Sequence, residues 1–244
     1  MKKLAIFGFS MLMFHTITAQ KKDITLEDIW KTGTFRTNGV YGLVSMKDGV
    51  HYTTFDGNDK DAYILRYEYA KATAPDTLLK ESSLKVDGKG INIDNYSFSP
   101  DETKMLISTG TEQIYRHSTR ENNYVYDRKT KTLTPVSNGE KQMYATFSPD
   151  GTKIGFVRGN NIFIKDLASG KETQVTTDGL LNNIINGATD WVHEEEFAFS
   201  VAYFWSPDSK KIAYYKFDES KVKEFSFNEF NGQLYPSEYK FKYP

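Results

Sequence analysis

The chain has 244 residues, 39% of them hydrophobic and 15% aromatic, which is enough apolar mass to bury a sizeable core and sets intrinsic disorder aside. Lys plus Arg total 31 against 32 for Asp plus Glu, a formal net charge of -1, so no overall field draws the chain to nucleic acid or to an anionic membrane. There is no cysteine, which excludes disulfides, thiolate metal ligands and a cysteine nucleophile together.

At the N-terminus, Lys2 and Lys3 precede an apolar run from Leu4 to Phe14, and the segment closes through Thr18 and Ala19 before the charged Lys21, Lys22 and Asp23. This is the layout of a secretory signal peptide over residues 1–19, cleaved after Ala19. The run is shorter than the roughly 20 apolar residues that a membrane-spanning helix needs. An exported protein is expected, periplasmic or extracellular, with no membrane insertion once the signal is removed. Just downstream, Thr25 with Asp28 three residues later approximates a capping box, and Leu26, Ile29 and Trp30 form an apolar stripe that stops at Gly33. One short helix is predicted there.

The remainder is repetitive. Phe98-Ser99-Pro100-Asp101 is followed by Lys104-Met105-Leu106-Ile107, Phe147-Ser148-Pro149-Asp150 by Lys153-Ile154-Gly155-Phe156, and Trp205-Ser206-Pro207-Asp208 by Lys210-Lys211-Ile212-Ala213-Tyr214. A fainter copy lies at Ser45-Met46-Lys47-Asp48-Gly49 before Val50-His51-Tyr52. In each unit an aromatic ends one strand, proline presets a turn, the aspartate bonds local backbone, and an apolar strand follows. The unit length of about 50 residues is that of propeller blades rather than helical solenoids. The expected fold is all-β, a partial β-propeller of roughly four antiparallel blades over residues 20–244. An ordinary sandwich with recurrent turns is the plainer alternative.

The unusual segment is Asn186-Gly187-Ala188-Thr189-Asp190-Trp191-Val192-His193-Glu194-Glu195-Glu196-Phe197. Three consecutive glutamates most often form a solvated helix face. Here Trp191, Phe197 and Phe199 demand burial nearby, which brings some of the carboxylates toward a low-dielectric surface. Neighbouring side chains diverge on a strand but lie about 100° apart on a helical turn, so a turn is needed for two carboxylates to cooperate. Such a pair suits an ammonium group, and a free peptide amino terminus is one. His193-Glu194 begins like the zinc motif His-Glu-x-x-His, but the second histidine position is Phe197, so no metal site is read. No cofactor is called for, and His51 and His117 are read as structural because neither sits in a ligand-spaced cluster.

This segment resembles the glutamate motif of the dipeptidyl peptidase IV family, and Tyr115-Arg116-His117-Ser118 resembles that family's substrate-arginine segment. The likeness extends over essentially the whole mature chain, including the Ser-Pro-Asp units and Phe163-Ile164-Lys165. It implies that Glu195 and Glu196 hold the protonated amino terminus of a peptide substrate, that Arg116 meets the substrate's carbonyl region, and that Glu194 is at most an accessory. His193 departs from the family's usual tyrosine at its place. The resemblance also implies a serine nucleophile in a C-terminal α/β-hydrolase domain, which this chain is expected to lack. Nothing in it reads as Gly-x-Ser-x-Gly outside the broken Gly8-Phe9-Ser10, and the chain alone is expected to be inactive. The implied partners are peptides with a free N-terminus, that hydrolase domain and, as a further assembly, a homodimer. The implied activity is release of X-Pro or X-Ala dipeptides. A prolyl tripeptidyl peptidase relative and a noncatalytic periplasmic propeller scaffold are the alternatives.

Overall fold

The computed structural model describes residues 23–37, 39, 42–58 and 61–243. The signal peptide expected over residues 1–19 lies outside them. Contacts divide the chain into two units, Met1–Val40 and Tyr41–Pro244. In the first, helix α1 (Leu26–Trp30) carries the expected capping box: the Thr25 side chain accepts from the Asp28 backbone N–H at 3.1 Å, and the Asp28 carboxylate accepts from the Thr25 N–H at 3.2 Å. The buried member of this helix is Asp28, while Leu26, Ile29 and Trp30 stay exposed.

The second unit is built of antiparallel sheets. Three are four-stranded meanders whose strands follow one another in sequence order. The first joins Val44–Ser45, His51–Asn58, Asp61–Glu68 and Asp76–Lys80. The second joins Asn95–Phe98, Lys104–Gln113, Thr119–Asp127 and Leu133–Pro135, and the third Met143–Phe147, Lys153–Arg158, Asn161–Asp166 and Glu172–Gln174. The fourth repeat forms a two-stranded hairpin, Tyr203–Trp205 with Ile212–Tyr214, rather than a four-stranded sheet. Two further pairs flank it: Ile184–Asn186 with Lys216–Asp218, and Glu224–Glu229 with Ser237–Lys242.

Each core lies between consecutive sheets. Met105 and Ile107 pack with Ile64, Leu79 and Tyr96, whereas the intervening Leu106 packs with Phe147, Ile154 and Phe156. Strand periodicity of two sends alternate residues to opposite faces, and here both faces are covered, so the central strands are apolar on both sides. Val157 repeats the logic one sheet later, joining Ile162, Ile185, Ala188 and Tyr203 in a third cluster.

The Ser-Pro-Asp turns owe their recurrence to one hydrogen-bond relay. In the third sheet the Ser148 hydroxyl donates to Asp150 Oδ1 at 2.6 Å and accepts from the Lys153 backbone N–H at 3.0 Å. The same bonds recur at Ser99 (2.6 and 2.9 Å) and at Ser206 (2.6 and 2.9 Å). The serine hydroxyl, which both donates and accepts, thus closes the turn that starts each inner hairpin. Successive turns also meet: Lys47 N–H donates to Glu102 Oε1 at 2.7 Å, and Asp150 N–H donates to Ser209 Oγ at 2.9 Å. A Cβ placed on Gly151, at φ +69°, would lie 3.5 Å from Pro100 Cδ of the preceding turn.

Ser148→Ala is expected to destabilise the protein by about 1–3 kcal/mol in denaturant unfolding, because the part-buried Lys153 N–H loses its acceptor and Asp150 one of its donors. The hydroxyl of Ser99 holds Asp101 down at about 2, the Thr103 donors adding to it. A carboxyl depressed in the folded state contributes stability above its unfolded value of 3.8 that is lost as pH falls through the folded value. Ser99→Ala should therefore weaken the fall in stability between about pH 4 and 2. A variant with an unchanged acid limb would contradict the relay.

Candidate functional site

The glutamate segment enters from the strand Ile184–Asn186 and turns at Gly187, where φ is +77° and a Cβ would lie 2.7 Å from Ile162 Cγ1. Glycine is required there both by the backbone conformation and by that close approach. Asp190 then caps helix α2 (Trp191–Phe197), its Oδ1 accepting from the His193 N–H at 2.9 Å and lying 2.7 Å from His193 Nδ1. Ala198, in the left-handed conformation at φ 53°, ends the helix by donating to the His193 carbonyl. The helical turn that two cooperating carboxylates need is present.

Aromatic contacts set the helix in place. Trp191 packs on Tyr243 and Phe241, with ring centroids 4.9 and 6.4 Å away. His193 sits among Phe217, Phe197 and Phe199 at 4.7, 5.4 and 6.0 Å. His193 therefore has an aromatic seat and an aspartate partner.

The three glutamates have three different environments, as the 100° step predicts. Glu194 points inward and is only 2% exposed; its Oε1 accepts from the backbone N–H groups of His117 and Ser118 at 2.6 and 2.9 Å. Glu195 is 19% exposed at its side chain, with Oε1 2.8 Å from Arg116 Nη2. Glu196 is exposed. Arg116 is 71% exposed and stands on the loop between the strands Lys104–Gln113 and Thr119–Asp127. The structure thus brings Arg116, from a loop of the second sheet, to Glu195 on helix α2, and leaves the side chain of Glu196 exposed. Among the described residues, no group of three or more His, Cys, Asp or Glu is arranged to hold a metal ion, and no helix is long and apolar enough to cross a membrane.

The loop carrying Arg116 has most of its backbone polar groups engaged. The Ile114 N–H donates to the Ser118 carbonyl at 2.9 Å and the Tyr115 N–H to Ser118 Oγ at 3.2 Å. Gln113 Nε2 reaches the carbonyls of Tyr115, Arg116 at 3.1 Å and Ser118 at 3.3 Å. Tyr115 is half-buried, and burial raises its phenol well above the ordinary range, with Tyr239 and the carboxylates of Glu219 and Glu194 pushing the same way.

The family model for the dipeptidyl peptidase IV (DPP IV) N-terminal region matches residues 99–244. The chain belongs to the dipeptidyl peptidase IV family. Dipeptidyl aminopeptidase B of Saccharomyces cerevisiae is 32% identical over 197 residues, covering 79% of this chain and 23% of that protein. Human prolyl endopeptidase FAP is 31% identical over 166 residues, covering 64% of this chain and 21% of that protein. The crystal structure of Porphyromonas gingivalis dipeptidyl peptidase 4 superposes with a TM-score of 0.80 at 42% identity, over 92% of this chain and 32% of that one. The all-β architecture accordingly resembles the N-terminal propeller region of a family member, and the chain spans less than a third of the length of these relatives.

One residue of this neighbourhood had no signal in the sequence. Glu219 is buried, and burial raises its carboxyl to about 7, with the nearby Asp190 carboxylate adding to the rise and Lys242 opposing it. A carboxyl raised in the folded state keeps a proton that the unfolded chain releases near 4.5, so rising pH favours unfolding between about 4.5 and 7. Glu219→Gln removes that dependence. Melting temperatures measured across this window should fall with pH in the parent relative to the variant, and parallel curves would contradict the assignment.

Proposed function

We propose that this chain is the substrate-recognition part of an exported serine exopeptidase that releases X-Pro or X-Ala dipeptides from peptide N-termini. The observation that carries the reading is Glu195, held 2.8 Å from Arg116 and followed on the same helix by the exposed Glu196. The formal charges of these three groups sum to -1, and a substrate ammonium brings the sum to zero. The ammonium's three donors then divide between the two carboxylates, leaving the Arg116 guanidinium to meet the peptide carbonyl region. Anchoring the amine at a fixed distance from the nucleophile selects for the length of peptide cut off, because a longer N-terminal extension has no room beyond the carboxylates. In this reading the serine nucleophile, the oxyanion donors and the pocket that accepts proline belong to an α/β-hydrolase domain of the full-length enzyme. The small share of each relative's length that this chain spans supports that division.

Replacing Glu195 or Glu196 with Gln in the full-length enzyme keeps shape but removes a charge that the cation needs. The expected loss is about 2–4 kcal/mol in transition-state stabilisation, or roughly 30- to 1000-fold in kcat/KM on a free-amine substrate such as Gly-Pro-p-nitroanilide. An N-acetylated substrate should be poor for the parent, and the Gln variants should lose little more on it, since the interaction is already absent. Near-parental kcat/KM in the Gln variants would return the glutamates to a solvated turn. The relative named prolyl endopeptidase FAP supports a second reading, in which internal prolyl bonds are also cut. Efficient hydrolysis of N-blocked peptides with proline before the cut bond would favour it.

A further inference from the structure

Glu194 lies outside the proposed amine contact, yet its carboxylate is the most completely buried of the three on helix α2. A carboxylate removed from water is costly unless charge-assisted hydrogen bonds replace the lost hydration. Here the two that the structure provides both come from the backbone of a loop 76 and 77 residues away in sequence, the N–H groups of Ser118 and His117. Those are the two residues that follow Arg116. The other side of the same loop is tied by the Gln113 amide, which reaches the carbonyls on either side of His117. With donors bound to Glu194 and carbonyls bound to Gln113, the loop backbone has one register with respect to helix α2. That register brings the exposed Arg116 side chain within 2.8 Å of Glu195, the next residue on the helix.

The geometry points to Glu194 as a positioning residue: its buried carboxylate ties the arginine loop to the glutamate helix and so sets the spacing between Arg116 and the Glu195 and Glu196 carboxylates. The consequence for hydrolysis rests on the amine-site reading proposed above; the tethering itself does not. An ion pair whose arginine is largely exposed is worth little on its own and cannot hold two elements in register. A buried carboxylate that would be left without partners if the loop moved away can. Glu194 is therefore the fixed point of the site and Arg116 its adjustable member. Gln at position 194 retains an oxygen acceptor for both N–H groups, Asp keeps the charge but shortens the reach, and Ala removes the acceptor altogether.

Two measurements on the full-length enzyme test this. The first is amide hydrogen exchange at His117 and Ser118, which reports the tether whether or not the site binds amines. Exchange there should speed up by about tenfold or more in Glu194→Ala, less in Glu194→Asp and least in Glu194→Gln, with the third-sheet strands Lys153–Arg158 and Asn161–Asp166 unchanged. The second is a double-mutant cycle with Arg116→Ala. Glu194→Ala should lower kcat/KM on a free-amine substrate about 10- to 100-fold in the parent, as misplacement of a positioned group does. It should cost less than about threefold once Arg116 is already Ala. If Glu194→Ala does not fold, Glu194→Asp serves both arms with a smaller effect of the same pattern. Unchanged exchange at His117 and Ser118, or an equal loss in both backgrounds, would overturn the proposal. Failure of the amine-site reading shows separately, as full activity of Glu195→Gln and Glu196→Gln, and the exchange result then decides the tether by itself.

Discussion

The carboxylate of Glu194 can stay buried only while the backbone of a loop in the second sheet supplies its hydrogen bonds, and that requirement organises the site around it. Helix α2 is seven residues long and too short to be stable by itself. Its N-cap Asp190, the left-handed Ala198 at its end and the aromatic contacts of Trp191 and His193 keep it formed. Glu194 then connects it to the loop after the strand Lys104–Gln113, so that residues far apart in sequence bring the Arg116 guanidinium to the Glu195 carboxylate.

A site assembled from two sheets needs the sheets to hold their spacing, and the way this chain builds its cores provides for that. No sheet has a private core: Leu106 faces one neighbour while Met105 and Ile107 face the other, and Val157 continues the pattern. Interiors packed in this way resist compression because side chains interdigitate at near-crystalline density. The linked Ser-Pro-Asp turns add a polar counterpart, with each serine hydroxyl closing its own turn and backbone N–H groups bridging to the neighbours at Glu102 and Ser209. Both devices repeat along the chain, consistent with an architecture in which similar sheets succeed one another.

What could be read from the sequence was what local chemistry governs. The Ser-Pro-Asp relay spans six residues, from Ser148 to Lys153, and its recurrence located the inner hairpin of the second, third and fourth repeats. The capping box at Thr25 and the helical turn at Trp191 are equally local. The fainter first repeat, with Met46 and Lys47 where the others have serine and proline, reaches a similar end by another route, since Asp48 Oδ1 accepts from the N–H groups of Val50 and His51 at 2.9 and 2.8 Å. The inward role of Glu194 was not legible, because three identical glutamates differ only in which face of the helix meets the loop, and that depends on bonds across 76 and 77 residues. Glu219 was hidden for the same reason: its burial and its Asp190 neighbour are products of the tertiary fold. Nor did the repeat spacing reveal that the fourth unit pairs as two strands, since the expectation of four like blades rested on the turn motif alone.

The most direct measurement of the central claim is a structure of the full-length enzyme with a slowly cleaved peptide bound through a free amino terminus. The ammonium nitrogen should lie about 2.7–3.2 Å from carboxylate oxygens of both Glu195 and Glu196, with Arg116 turned to the first peptide carbonyl and Glu194 still bonded to the N–H groups of His117 and Ser118. A peptide whose amino terminus points into solvent, or is held by groups other than these two glutamates, would contradict it.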